Sequence, residues 1–281
     1  MRKLLWSAAL ITPIWLAAPL MAQCPDDATI AMLARSILSA TPSPTPAVDS
    51  MEDALCAQDK LVHILSREWG APVGYKAGLT SKPAQDAFNA TEPVRGVLYA
   101  AMMLPNGASV PSGFAALPRF EADLILVVAD AAINDAKTAG DVLAHLSAIH
   151  PFIELPDLVV ADPRSLTAPS ITAINVGARK GVLGDALPVV HDEAFEKKLA
   201  EMQVVVTDAQ GQELARAPGA AVLGNPLNSL LWLLQSGVRF KAGDLVSVGS
   251  FGPLLLPKPG LAVKVTYHGL PGDPEVSVSF D

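Results

Sequence analysis

Two acids two residues apart, Glu121 and Asp123, open directly into the apolar, mostly β-branched run Leu124-Ile125-Leu126-Val127-Val128. Such a run reads as a buried strand, and side chains two apart on a strand point to the same face, so the two carboxylates share one side of it. Taking a carboxylate out of water is costly unless it is paired or holds a cation. A third acid, Glu154, sits in a second short apolar run, Phe152-Ile153-Glu154-Leu155, and meets the same cost. Two arrangements satisfy this pattern. Either the three acids converge on a hard cation, Mg²⁺ or Mn²⁺ rather than zinc because no His or Cys accompanies them, or Glu121 and Asp123 mark the exposed start of a strand beside Arg119 while Glu154 caps a loop.

The surrounding sequence predicts a turn-rich, strand-rich chain. Its 24 prolines and 20 glycines mostly punctuate short apolar runs, which is the pattern of strands and turns rather than of a helical bundle. The 281 residues suffice for one large domain or two modest ones. A net charge of −8 with no basic cluster excludes a nucleic-acid footprint.

At the N-terminus, Arg2 and Lys3 precede an apolar run over 4–22 that is broken by Pro13 and Pro19. This is the layout of a secretory signal peptide cleaved after Ala22, with an uncleaved anchor as the alternative. The mature chain would then be periplasmic or secreted, with no membrane contact once the leader is removed. Cys24 and Cys56 would pair as a disulfide in that oxidising compartment. Apolar residues Ile30, Leu33, Ala34 and Ile37 predict a helix over 27–39, and Leu55, Leu61, Ile64 and Leu65 the inner face of a second over 50–69. The proline-rich stretch 41–46 between them reads as a surface linker. The chain therefore divides into a leader (1–22), an N-terminal helical segment (23–72) and a main domain (73–281). Within the last, further helices are expected over 138–150, from a Thr138 cap with Asp141 three residues on, over 193–201 and over 227–235; strands are expected near 203–207, 244–248 and 262–267.

Six segments together resemble the fumarylacetoacetate hydrolase superfamily, and within it the 2-keto-4-pentenoate hydratase and 4-oxalocrotonate decarboxylase branch: GYKAGLTSK at 74–82, GVLYAAMMLPNG at 96–107, PRFEADLILVV at 118–128, FIELPD at 152–157, VLGNPLNSLLWLL at 222–234 and GDLVSVGSFGPLLLPKPG at 243–260. The resemblance implies an α+β fold, a β-rich mixed sandwich or roll preceded here by the helical segment, assembled as a homo-oligomer. It also implies a divalent metal held by a Glu-x-Glu pair and a downstream Glu, a pattern that falls on Glu121, Asp123 and Glu154, with Asp in place of the second Glu. The implied substrate is a small 2-oxo carboxylic acid, chelated through its carboxylate and keto oxygens, and the implied reaction is a hydration, decarboxylation or related carbon–carbon cleavage.

Within that resemblance Lys76 is the catalytic candidate, as a cation for the substrate carboxylate or as a proton carrier, against the alternative of a solvated surface lysine. Ser250, in Gly249-Ser250-Phe251-Gly252-Pro253, is a candidate for substrate binding, or an ordinary turn residue. Two departures bear on the reaction: Val94 stands where the hydratases carry an acid, and Gly177-Ala178 where they carry Ser-Ser. Arg95 and Arg179 lie beside these positions and are candidates for binding an extra substrate carboxylate, or surface residues. The lost proton-handling groups and the export signal also leave open a second class, a secreted binding protein that keeps the fold and has lost turnover.

Overall fold

A computed structural model describes residues 24–281; the leader assigned to 1–22 lies outside the described residues. The chain begins with α1 (Asp27–Ser39) and α2 (Met51–Trp69), followed by β1 (Pro72–Gly78), α3 (Lys82–Ala87), β2 (Val94–Tyr99), β3 (Met103–Pro105) and β4 (Ala108–Val110). Next come β5 (Glu121–Val128), α4 (Ala139–Ala144), β6 (Leu146–Leu155), α5 (Ala168–Ala173), β7 (Lys180–Leu183) and β8 (Leu187–Pro188). The C-terminal third holds α6 (Glu193–Glu201), β9 (Gln203–Asp208), β10 (Glu213–Pro218), α7 (Leu227–Gln235), β11 (Leu245–Ser247), β12 (Ala262–His268) and β13 (Glu275–Phe280).

The strands form two mixed sheets. The larger has the order β2-β1-β11-β5-β6-β7-β3, with β8 also pairing β6, and the smaller has the order β10-β9-β12-β13-β4. Alternation along β5 divides the interior in two. Leu124, Leu126 and Val128 face a core shared with the smaller sheet and α7, where they meet Val206, Val265, Tyr267 and Leu230. Ile125 and, from β6, Phe152 face a second core formed with α1, α2 and α5. This is the expected α+β architecture, a sheet sandwich with helices on its outer face.

The N-terminal helices are part of that second core. Ser50 caps α2 at its first turn. The buried face of α2 is Ala54, Ala57, Gln58, Leu61 and Leu65, while Leu55 and Ile64, also expected inside, are only half-buried. The Gln58 amide donates to the carbonyls of Arg95 (2.7 Å) and Thr172 (3.0 Å) and so ties α2 to β2 and α5. The Cys24–Cys56 disulfide is present and fastens the start of the described chain to α2. The proline-rich stretch is fixed rather than free: Ser43 donates its N–H to Val159 (2.7 Å) and accepts from Ala161 (2.9 Å).

One expected helix is much shorter than its cue. Thr138 and Asp141 form a reciprocal capping box, but α4 ends at Ala144. From Leu146 the chain is needed as β6, which pairs with β5 from Val128 back to Glu121. Tertiary pairing overrides the local helical pattern there. Among the described residues no helix is long and apolar enough to cross a membrane.

Candidate active site

The acids meet because of strand register. Glu121 stands directly opposite Glu154 in the antiparallel β5–β6 pair, and Asp123 opposite Phe152. β11 pairs with β5 only as far as Ile125. Beyond it the chain swings past the acidic end of β5, with the Val248 N–H on the Leu124 carbonyl (3.1 Å) and the Phe251 N–H on that of Ala122 (2.9 Å).

Asp123 is fully buried and anchored by this loop. Its Oδ1 accepts from the N–H groups of Leu124 (2.5 Å), Val248 (3.1 Å) and Gly249 (3.0 Å), and its Oδ2 accepts from the Ser247 hydroxyl (2.5 Å). Gly249 has a positive φ of 104°, and a Cβ there would lie 2.3 Å from Thr80 Oγ1, so glycine is required for the loop to come this close. From the smaller sheet, the Tyr267 hydroxyl donates to the Asp123 carbonyl and accepts from the Phe152 N–H (3.1 Å), which locks β5 to β6 at the site. Burial pushes that phenol's pKa upward and keeps it a donor.

Lys76 is 3% exposed and points into the same place from β1. Its ammonium pairs with Glu154 Oε1 and donates to the Val176 carbonyl (3.1 Å). Opposite Lys76 in the β1–β2 pair is Gly96, where a Cβ would sit 2.7 Å from Lys76 Cγ; the missing side chain makes room for the lysine stem. Glu154 Oε2 is buried with no partner. Burial, and after it the charge of Glu154, pushes the Glu121 carboxyl well above the ordinary carboxylate range. Burial and the charge of Glu154 likewise raise Asp123 to about 7, against the hydrogen bonds that Ser247 and Leu124 donate to it.

A cavity of about 650 Å³ opens onto this cluster. Lys76 and Glu121 lie at its inner end, and Ser81, Lys82, Ser250 and Pro253 also line it. Ser250 thus lines the cavity, with its own hydroxyl on the Gly252 carbonyl (2.8 Å). The two arginines do not. Arg95 reaches Asp59 on α2 (3.6 Å), and Arg179 donates to the Ile37 carbonyl at the end of α1 and lies over the Trp69 ring, 5.7 Å from its centroid. Both hold the N-terminal helices to the body of the protein, so the expectation that they bind a substrate carboxylate is corrected.

Other residues that shape the site carry weaker sequence signals. Asp157, in the FIELPD segment, accepts from the N–H groups of Leu117 (2.8 Å), Ala116 (3.2 Å) and Val159 (2.9 Å) and so sets the loop that leads into β5. Asn175 pairs with both the N–H (2.8 Å) and the carbonyl (3.0 Å) of Val97, holding Val176 over the cavity. Tyr267 and Gly96 could not be singled out, because their roles depend on which strands become neighbours.

Among the described residues no three His, Cys, Asp or Glu side chains stand in the mutual geometry of a metal site. In this arrangement Glu154 Oε1 is engaged by Lys76, and Asp123 accepts from the Ser247 hydroxyl and the Val248 and Gly249 N–H groups. The donor chemistry nevertheless fits a hard cation. Two buried carboxylates, Asp123 and Glu154, and the half-buried Glu121 gather beside one lysine, one glutamate oxygen is unpartnered, and Asp123 Oδ2, with a single donor, keeps a lone pair.

Fold and site together define a member of the fumarylacetoacetate hydrolase class. The 4-oxalocrotonate decarboxylase from Pseudomonas putida G7, solved with magnesium and adipate, superposes with a TM-score of 0.77 at 23% identity, covering 91% of this chain and 97% of that one. A 2-keto-4-pentenoate hydratase of Burkholderia vietnamiensis is 31% identical over 191 residues, 66% of this chain and 70% of its own. Another, 2-keto-4-pentenoate hydratase 1 of Dechloromonas aromatica, is 28% identical over 251 residues, 84% and 93% of the two chains. No protein-family model matches the chain. The chain belongs to the 2-keto-4-pentenoate hydratase and 4-oxalocrotonate decarboxylase branch of the fumarylacetoacetate hydrolase superfamily, and it is an enzyme, a lyase or hydrolase of that superfamily.

Proposed function

We propose that the chain is a divalent-metal-dependent hydratase or decarboxylase acting on a small 2-oxo carboxylic acid at the inner end of the cavity. The observation that carries this is the gathering of three carboxyl groups around one ammonium: Glu121 stands opposite Glu154 in the β5–β6 register, Asp123 is fully buried beside them, Lys76 takes Glu154 Oε1, and Glu154 Oε2 has no partner. Glu121 and Glu154 would hold the ion, with Asp123 contributing through Oδ2. When bound, a divalent cation polarises the carboxylate and keto oxygens of a 2-oxo acid and stabilises enolate charge. Magnesium in the Pseudomonas decarboxylase complex supports a divalent ion, and the names of the hydratase relatives support a 2-oxo acid.

Lys76 supplies the mobile cation. Its stem is fixed against Gly96 and its ammonium sits between Glu154 and the Val176 carbonyl, at the cavity's inner end. There it can receive a substrate carboxylate or pass a proton to the substrate carbon. Val94 is buried away from the cavity and Gly177-Ala178 bring no hydroxyl, so proton handling falls to Lys76 rather than to the groups the hydratases carry. A panel of 2-oxo acids and their dienol forms, followed by ultraviolet absorbance and by carbon dioxide release with Mg²⁺ and with chelator, tests this. Metal-dependent turnover of at least one member is expected; no turnover of any member would reject the proposal. Nothing at the site or among the relatives favours the non-catalytic binding protein.

The same proposal places the mature enzyme outside the cytoplasm, in the periplasm or secreted, as an assembly of identical copies. The leader-like N-terminus and the Cys24–Cys56 disulfide support the compartment, and the family resemblance supports the assembly.

A further inference from the structure

The cavity is much larger, and much more apolar, than a pentenoate-sized acid requires. Such an acid has roughly eight heavy atoms; even at about 30 Å³ each, the volume of a liquid water, it fills about 240 Å³. The cavity measures about 650 Å³. Its apolar wall includes Leu79, Phe88, Leu158, Ile171, Val176 and Leu254, and besides Lys76 and Glu121 the polar side chains on it are those of Thr80, Ser81, Lys82 and Ser250.

Two of these wall residues are held in a costly conformation. Leu79 (φ 55°) and the β-branched Val176 (φ 53°) both lie in the left-handed region, where non-glycine residues are uncommon and a β-branched one is an outlier. Asn175 fixes the second of them through its paired bonds to Val97. Behind Val176 is Val94, 1% exposed, so the hydrocarbon continues into the core at the position where the resemblance expects an acid.

Charge is absent where a second carboxylate would need it. Among the described residues lining the cavity, the cations are Lys76 and Lys82. Lys76, paired with Glu154, serves the oxo-acid end of the substrate, and Lys82 is exposed and paired with Asp86 one turn along α3. Arg95 and Arg179 are directed to the N-terminal helices. A carboxylate placed against the apolar wall would lose its hydration with no unpaired cation to receive it.

We propose that the enzyme takes 2-oxo acids carrying an uncharged, apolar alkyl or aryl substituent at the end remote from the oxo acid, and discriminates against those that carry a second carboxylate there. The proposal rests on the 2-oxo acid assignment above and narrows it. It is tested by calorimetric titration of the full protein, loaded with Mg²⁺, with pyruvate, 2-oxooctanoate and 2-oxosuberate, the last two matched in length. 2-Oxooctanoate is expected to bind at least about ten-fold more tightly than pyruvate, since each buried methylene contributes roughly four-fold, and 2-oxosuberate no more tightly than pyruvate. Phe88→Ala, a change at a half-buried wall residue, is expected to lower the ratio of 2-oxooctanoate affinity to pyruvate affinity several-fold. Pyruvate binding with no gain from the tail, or 2-oxosuberate equalling 2-oxooctanoate, overturns the apolar-substituent proposal alone. Failure of all three to bind overturns the 2-oxo acid assignment and this proposal with it.

Discussion

Lys76 and Glu154 form a buried ion pair between β1 and β6 in which only one glutamate oxygen is used. Breaking such a pair from one side leaves an uncompensated charge, at a cost of about 3–5 kcal/mol. Lys76→Met is therefore expected to destabilise the metal-stripped enzyme by that order and to lower kcat far more than it raises KM. Thermal unfolding with and without Mg²⁺ checks the first part, because a cation at the site should recover much of the loss. Steady-state kinetics check the second; a variant with normal kcat would remove Lys76 from the chemistry.

Tyr267 joins the smaller sheet to the site strands through one hydroxyl. Tyr267→Phe removes the hydroxyl that bridges the Asp123 carbonyl and the Phe152 N–H in a dry interior, a loss of roughly 1–3 kcal/mol. Denaturant unfolding should show a lower midpoint with an unchanged slope. Metal affinity should fall as well, since β5 and β6 lose their cross-brace beside Glu121 and Glu154.

The metal-stripped protein should lose stability as pH rises. Asp123 is raised to about 7 when folded, from an ordinary value of 3.8, and Glu121 moves in the same direction. Between those limits the folded state binds more protons than the unfolded one, so stability falls with pH across that window. Asp141, held low by the N–H groups of Lys137 and Thr138, titrates below its ordinary value and does not oppose the trend near neutrality. Tm at pH 5 should exceed Tm at pH 7.5 without metal, and Asp123→Asn should flatten the difference. An equal slope in the variant would contradict the assignment to Asp123.

The N-terminus offers a test independent of catalysis. Intact mass of protein recovered from the cell envelope should show loss of residues 1–22 and of two hydrogens for Cys24–Cys56; a full-length or lipid-modified chain would contradict export by this route. Reduction should cost roughly 3–4 kcal/mol from the loop it opens and leave Mg²⁺ affinity unchanged, because both cysteines lie outside the cavity.

Much of the site was legible in the sequence because strand periodicity is local. The spacing of Glu121 and Asp123 placed both on one face of β5, and the apolar context of Glu154 marked it as buried. The order of the six segments carried the fold. What stayed hidden depends on pairing across the chain. Arg95 and Arg179 flank altered positions in the sequence, but their side chains turn to α1 and α2. α4 carries a real cap, yet only the need of β5 for a partner ends it at Ala144. Gly96 looks like any strand glycine until β2 is laid beside Lys76.

The central claim is that Glu121, Asp123 and Glu154 hold a divalent cation, and calorimetric titration of the metal-stripped protein with Mg²⁺ and Mn²⁺ tests it most directly. The account predicts one site per chain, with affinity reduced at least about ten-fold in Glu154→Gln, which removes the charge of the unpartnered oxygen while keeping its volume. No binding to the wild-type protein, or binding unchanged in Glu154→Gln, would contradict it.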